Sequence, residues 1–178
     1  MDYEELLKIR RSVRAYDASR TVTKEQAETV IEAALEAPSW KNTETGRYYC
    51  VLGENEVKKF RETCLPEFNR QRTEGAAYIV TAFVSDLSGH NQDKTPTNEC
   101  GNGWGFYDLG LQNENLLLKA KELGLDTLVM GIRDSEKIRQ CLDIPEEETI
   151  VSVIAIGYGA EAPSRPKRKA LDEVLKFI

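Results

Sequence analysis

The sequence predicts an α+β fold in one domain of 178 residues. Three observations carry that expectation. Apolar residues recur at helical spacing in some stretches and as short β-branched runs in others, and the two kinds of stretch alternate along the chain. Capping residues mark the first two helix starts. The glycine turns that open a Rossmann or P-loop unit, Gly-x-Gly-x-x-Gly and Gly-x-x-x-x-Gly-Lys-Ser/Thr, are absent, so the alternation is not that of a dinucleotide-binding or P-loop domain.

Asp2 with Glu5 three residues later reads as a capping box, and Leu6, Leu7 and Ile9 begin an apolar stripe, so the first helix delivers Arg10 at its end. Thr23 and Gln26 form a second box. Ala27, Val30, Ile31, Ala34 and Leu35 follow at helical spacing until Pro38 stops the pattern. Residues 47–52 are predicted as a strand, 54–64 as a helix, 66–73 as a short helix and 78–84 as a strand. Residues 85–105 are polar and glycine-rich, longer than most connections in a compact domain, and are expected to form a lid loop. The following helix, 106–123, is wide-faced through Leu116, Leu117, Leu118 and Ala120, and Gly124 ends it, which makes it the central helix. Residues 127–130 and 150–156 read as buried strands with a helix over 135–142 between them. Pro163 and Pro166 open a tail in which Val174, Leu175, Phe177 and Ile178 are apolar.

Composition removes several classes of function. With 40% hydrophobic and 30% charged residues the chain is that of an ordinary globular protein, not a disordered one. A net charge of -6 argues against a nucleic-acid binder, which needs a basic face for many phosphates. No apolar run approaches the ~20 residues of a membrane span, and the acidic start is unlike a signal peptide, so the expected location is the cytoplasm. Cys50, Cys64, Cys100 and Cys141 form no Cys-x-x-Cys pair, which points to reduced thiols and to no metal site. His90, the one histidine, is expected as a loop residue without a catalytic partner.

Against that acidic background stand two basic clusters, Arg10-Arg11-Ser12-Val13-Arg14 and Arg165-Pro166-Lys167-Arg168-Lys169. If folding joins the two ends, their repulsion requires an anion between them, and a small phosphate is the simplest one. Two separate solvated patches would look the same in sequence.

Five segments in order resemble the nitroreductase family of flavin mononucleotide (FMN) enzymes: RRSVRAY (10–16), APSWKN (37–42), FNRQR (68–72), the glycine of VMGI (129–132), and the region from IAIGYG to KRKALDEV (154–174). The resemblance implies a three-layer αβα arrangement with a central mixed β-sheet flanked by helices. It assigns Arg10 and Ser12 to the flavin phosphate side, Arg14 to the ring, Arg11 between them to the same cofactor site, and Lys167 and Arg168 to the phosphate from the other chain end. Guanidinium forks suit phosphate oxygens. Asn69 and Arg72 match a polar pair at the pyrimidine end of the flavin, although a solvated helix pair has the same spacing. Gly131 matches the residue whose backbone N–H faces flavin N5. Pro38, Ser39 and Asn42 match a segment supplied across a homodimer interface, with the tail at 171–178 packed on the partner. Two departures stand out. Glu44-Thr45-Gly46 replaces the usual Gln-Pro-Trp, and Met130 stands where some relatives carry an acid.

The implied activity is hydride transfer from NADH or NADPH through FMN to a small nitroaromatic, quinone or related acceptor by a ping-pong course. The cofactor then carries the chemistry, which agrees with the absence of a nucleophile or acid-base pair. Trp104, Phe106 and Tyr107 either line the acceptor side or pack. Dehydrogenation or reductive dehalogenation on the same fold, and flavin binding without catalysis, are the alternatives that the sequence leaves open.

Overall fold

The computed structural model describes residues 2–178 as α1 (Tyr3–Ile9), α2 (Lys24–Leu35), β1 (Gly46–Val51), α3 (Glu54–Cys64), α4 (Glu67–Arg72), β2 (Ala77–Val84), α5 (Gly103–Glu122), β3 (Asp126–Met130), α6 (Ser135–Leu142) and β4 (Glu148–Gly157). Short 3-10 turns form at Trp40–Asn42 and Leu171–Glu173. Capping decides the first two helices. Thr23 and Gln26 exchange both bonds of their box, whereas Asp2 accepts from the Glu5 N–H at 2.8 Å. Helix α5 starts three residues sooner than its apolar stripe, because Gly105 lets its first turn sit directly on Phe83, whose ring lies 2.3 Å from where a Cβ would be.

Side-chain alternation makes one sheet into the middle of three layers. Tyr78, Val80 and Ala82 of β2 pack with Phe60 and Cys64 of α3 and Ile138 of α6. Ala77 and Ile79 point the other way, onto Val30 and Ala34 of α2 and Leu116, Leu117 and Ala120 of α5. β4 divides likewise, with Val153 and Ala155 on the first face and Ile154 and Ile156 on the second. Each large apolar side chain so buried contributes roughly 1.5–3 kcal/mol.

The expected mixed sheet needs one correction. The strand order is β1-β2-β4-β3, and all three ladders are antiparallel; the one parallel pairing among the described residues is the single bridge between Ser12 and Thr127. The mixed sheet was implied by the family resemblance; the continuous apolar runs read as buried strands report helices on both faces, and strand direction leaves no mark on them. Between Thr81 and Ala82 the β2–β4 register slips, so Ser152 pairs with Thr81 and Ile150 with Ala82. That bulge frees β4 locally, close to where β3 ends at the pair Met130–Val153.

Candidate functional site

The outer edge of β3 gathers most of the predicted residues. Helix α1 ends at Arg10, whose backbone turns extended (φ -56°, ψ 129°) and sends residues 11–16 along the sheet. The Val13 N–H donates to Thr127 O at 3.0 Å. On their far side, residues 14–17 meet the chain leaving β4. Asp17 N–H donates to Tyr158 O at 2.8 Å, Ala160 N–H to Ala15 O at 2.9 Å, and Arg14 N–H to the Glu161 carboxylate at 2.6 Å. This strap returns the C-terminal basic cluster to the N-terminal one.

The charges of the two clusters act on one another. Burial and then the cations Arg165, Arg10 and Arg168 lower the Arg11 pKa from its ordinary value. Among the described residues, none of Arg10, Arg11, Arg14, Arg165, Lys167 and Arg168 makes an ion pair with a carboxylate. Their guanidinium bonds go to main chain: Arg11 to Arg10 O at 2.6 Å and Arg14 to Ser12 O at 3.1 Å. Cations brought together without partners leave donors for an anion.

At the other end of β3 the chain turns into α6. Gly131 is exposed, and an added Cβ there would meet nothing within 4 Å. Its φ lies outside the left-handed region, so no turn geometry demands glycine. Asn69 is buried, and its side-chain amide donates to Ile132 O at 3.0 Å, which ties α4 to this turn. Arg72 is exposed on the last turn of α4, its guanidinium 5.8 Å from the centre of the Phe68 ring. Met130, which by the family resemblance stands where some relatives carry an acid, is buried in the core beneath the strand.

Pro38, Ser39 and Asn42 lie elsewhere. Their segment is held to α5 by Asp108, a buried carboxylate that accepts from Trp40 N–H at 3.0 Å and from the Ser88 hydroxyl at 2.6 Å. Ser39 Oγ accepts from Glu44 N–H at 3.1 Å, and the turn runs through positive φ at Lys41 (47°), Asn42 (56°) and Glu44 (48°). Trp40 packs against Trp104 with centroids 4.5 Å apart and planes tilted by 50°, and Trp104 meets Tyr107 edge-on at 5.6 Å. Tyr107 and Phe106 stay exposed, at 60% and 48%. Trp104 therefore packs, and the surface aromatics belong to its neighbours.

The loop before α5 is laced internally. Asp86 and Asn102 exchange bonds at 2.8 Å, Thr97 N–H donates to Gly89 O at 2.8 Å, and Trp104 Nε1 donates to Asn98 at 3.0 Å. His90 is a loop residue as expected, yet buried, with Nδ1 2.9 Å from Ser88 O. Sequence reasoning missed Asp108 and Arg133. The four-residue spacing of Asp108, Gln112 and Leu116 on one buried stripe was the available signal for the first; nothing in the local sequence marks the second.

The nitroreductase family model matches residues 7–158. A protein of Archaeoglobus fulgidus provisionally named NADH dehydrogenase/NAD(P)H nitroreductase is 30% identical over 162 residues, spanning 87% of this chain and 86% of its own. A protein of the same provisional name from Methanothermobacter thermautotrophicus is 29% identical over 167 residues, 92% of this chain and 80% of its own. The fold is shared with the nitroreductase family protein of Streptococcus pneumoniae (TM-score 0.84, 18% identity, 99% of this chain and 100% of that one). It is shared too with a provisionally named nitroreductase of Exiguobacterium sibiricum solved in complex with FMN (TM-score 0.81, 21% identity, 100% and 98%). By its matched length and by these relatives, the chain belongs to the nitroreductase family.

Proposed function

We propose that this protein is an FMN-dependent NAD(P)H oxidoreductase that passes reducing equivalents to a small nitroaromatic, quinone or related acceptor by a ping-pong course. The observation that carries the reading is the convergence of two cation clusters from opposite chain ends, without carboxylate partners, beside a sheet edge with an open glycine at its end. The donor set fits FMN at both ends. Arg10, Arg11, Ser12, Lys167 and Arg168 would hold the phosphate through charge-assisted bonds. Arg14 and Arg72 would set positive charge beside the ring's pyrimidine side, Asn69 would fix the turn it already holds, and Gly131 would admit the ring close to the backbone. FMN, when bound, supplies two-electron hydride chemistry at N5.

The same reading assigns Pro38, Ser39 and Asn42 to the flavin of a partner subunit in a homodimer. They are anchored through Trp40 and Asp108, apart from the basic cluster of their own chain. The tail supports a dimer. Leu171, Val174, Leu175, Phe177 and Ile178 are 74%, 65%, 43%, 93% and 124% exposed, an apolar segment with no cover of its own. The loop over residues 85–105, tied within itself by Asp86, Asn102 and Asn98, would serve in this arrangement as the expected lid. Among the described residues no helix is long and apolar enough to cross a membrane.

Anaerobic titration tests the proposal. The purified protein should be yellow with one FMN per chain, bleach on addition of NADH or NADPH, and regain colour with a quinone. Parallel double-reciprocal lines should follow in steady state. Bound flavin that neither nicotinamide bleaches would leave a binding protein without this activity.

A further inference from the structure

The turn from β3 into α6 is held by side chains at unusual expense. Arg133 donates from Nη1 to Gly131 O at 2.7 Å and from Nη2 to Ile150 O, the β4 carbonyl beside the bulge. Its Nε is buried without a hydrogen-bond partner. Among the described residues it makes no ion pair, for the carboxylate next to it, Asp134, is spent on Lys137 at 3.0 Å and on capping α6. Burial lowers the Arg133 pKa, as expected of a cation among carbonyls. A guanidinium is a costly way to fill space here; a methionine would fill it without desolvating a charge.

The arrangement does something that packing alone does not. In a planar trans peptide the C=O of one residue and the N–H of the next point in opposite directions. Arg133 grips Gly131 O, which turns the Ile132 N–H the other way; Asn69 grips Ile132 O, which does the same for the Arg133 N–H. Among the described residues neither N–H donates a hydrogen bond, although both carbonyls are satisfied. Beside them lies the open space at Gly131.

We infer that Arg133 is a positioning residue of the flavin site: its fork, bridging Gly131 O and Ile150 O, sets the Gly131–Ile132 peptide so that the Ile132 N–H faces the ring edge of bound FMN. The inference rests on the reading of this edge as the FMN site. A held N–H opposite a ring edge that gains electron density on reduction favours the reduced cofactor. Its removal therefore affects affinity and potential together.

The test uses the full-length protein, stripped and reloaded with FMN, and compares the parent with Arg133→Lys and Arg133→Met. Lysine keeps the charge but is a single point that cannot bridge two carbonyls. Both variants should bind FMN about tenfold more weakly, the size of one lost hydrogen bond. Both should show a more negative two-electron potential at saturating FMN. A variant with parental affinity and potential but a lower melting temperature shows a merely structural role and overturns the inference. Full restoration by lysine overturns it as well, since charge and not the fork would be acting. Where Arg133→Met does not fold, Arg133→Lys decides by the same two readouts. A parent that fails to bind FMN at all would instead defeat the underlying reading of the site.

Discussion

The two outer edges of the sheet have the same interior between them and opposite chemistry. The β3 edge is covered by residues 12–14, flanked by unpaired cations and closed by a turn with free N–H groups. The β1 edge has no strand beside it among the described residues, and next to it runs a groove of ≈ 730 Å³ with an apolar floor of Ala27, Ile31 and Leu35 of α2, Leu52 and Leu142, rimmed by the charged side chains of Lys24, Glu28, Glu32 and Glu56. An uncovered edge is an invitation to pair with another chain, and an apolar floor beside it favours an apolar occupant. The difference teaches where function sits in this fold. The helices cover both faces, so chemistry is left to the backbone groups and charges at the rims, and under the proposed function the β3 rim takes the anionic cofactor.

Removing residues 171–178 attacks that contrast with the largest expected effect. If the exposed apolar tail packs on a partner subunit, losing even two well-buried side chains removes about 3 kcal/mol, or over a hundredfold in dimer affinity. Sedimentation should show a monomer at micromolar concentration, and flavin content should fall with it, because Pro38, Ser39 and Asn42 would no longer reach a partner's cofactor. A truncated protein that stays dimeric and yellow would detach the tail from assembly.

At the other rim, Arg168→Ala should raise the FMN dissociation constant by roughly one to two decades, the loss of a charge-assisted bond worth about 1.5–3 kcal/mol. The effect should shrink as salt rises, since the site is exposed. Arg11→Ala should behave alike, because Arg11 and Arg168 already act on each other. Equal affinity of parent and Arg168→Ala at both low and moderate salt would refute the phosphate assignment.

Between the rims lies Asp108, whose carboxylate holds Trp40 and Ser88. Asp108→Asn keeps the shape and removes the charge from two hydrogen bonds, so a loss of about 1–3 kcal/mol in urea unfolding is expected. Tryptophan fluorescence should change too, because Trp40 and Trp104 are in contact, with ring centroids 4.5 Å apart. Unchanged stability and emission would mean that the Ser39–Asn42 segment is held by its own turn alone.

How far these features could be read in advance depends on their range. Helices α3 and α6 were legible in extent, since their apolar faces and flanking turns are local. Local signals failed where packing decides: the early start of α5 at Gly103 follows from Gly105 meeting Phe83, a contact across 22 residues. Strand direction was illegible, because burial on both faces erases the alternation that would show it. The union of the two basic clusters was legible as a charge argument, and its route was not; it depends on Ala160 and Glu161 binding back to Ala15 and Arg14. Arg133 was invisible for the opposite reason, its meaning lying wholly in carbonyls that sequence does not locate.

The smallest effect tests the shared interior. Cys64 of α3 is buried in the core beneath the sheet, and burial, with Cys141 beside it, pushes its thiol up to about 12. In the unfolded chain the same thiol titrates near 9. From pH 9 upward the unfolded state therefore releases this proton and the folded state keeps it, so stability falls as pH rises through that window, by at most about 1.4 kcal/mol per pH unit. Below pH 9 both states hold the proton and Cys64 gives no slope. Cys64→Ala should lower stability at neutral pH through its cavity yet flatten the decline above pH 9, measured by urea unfolding at successive pH values. Thiol labelling of the folded protein at pH 8 offers a second reading, in which exposed Cys100 reacts and Cys64 does not. If Cys64 labels as fast as Cys100, the α3–α6 layer opens readily, and the sheet that separates the two rims is less rigid than their contrast requires.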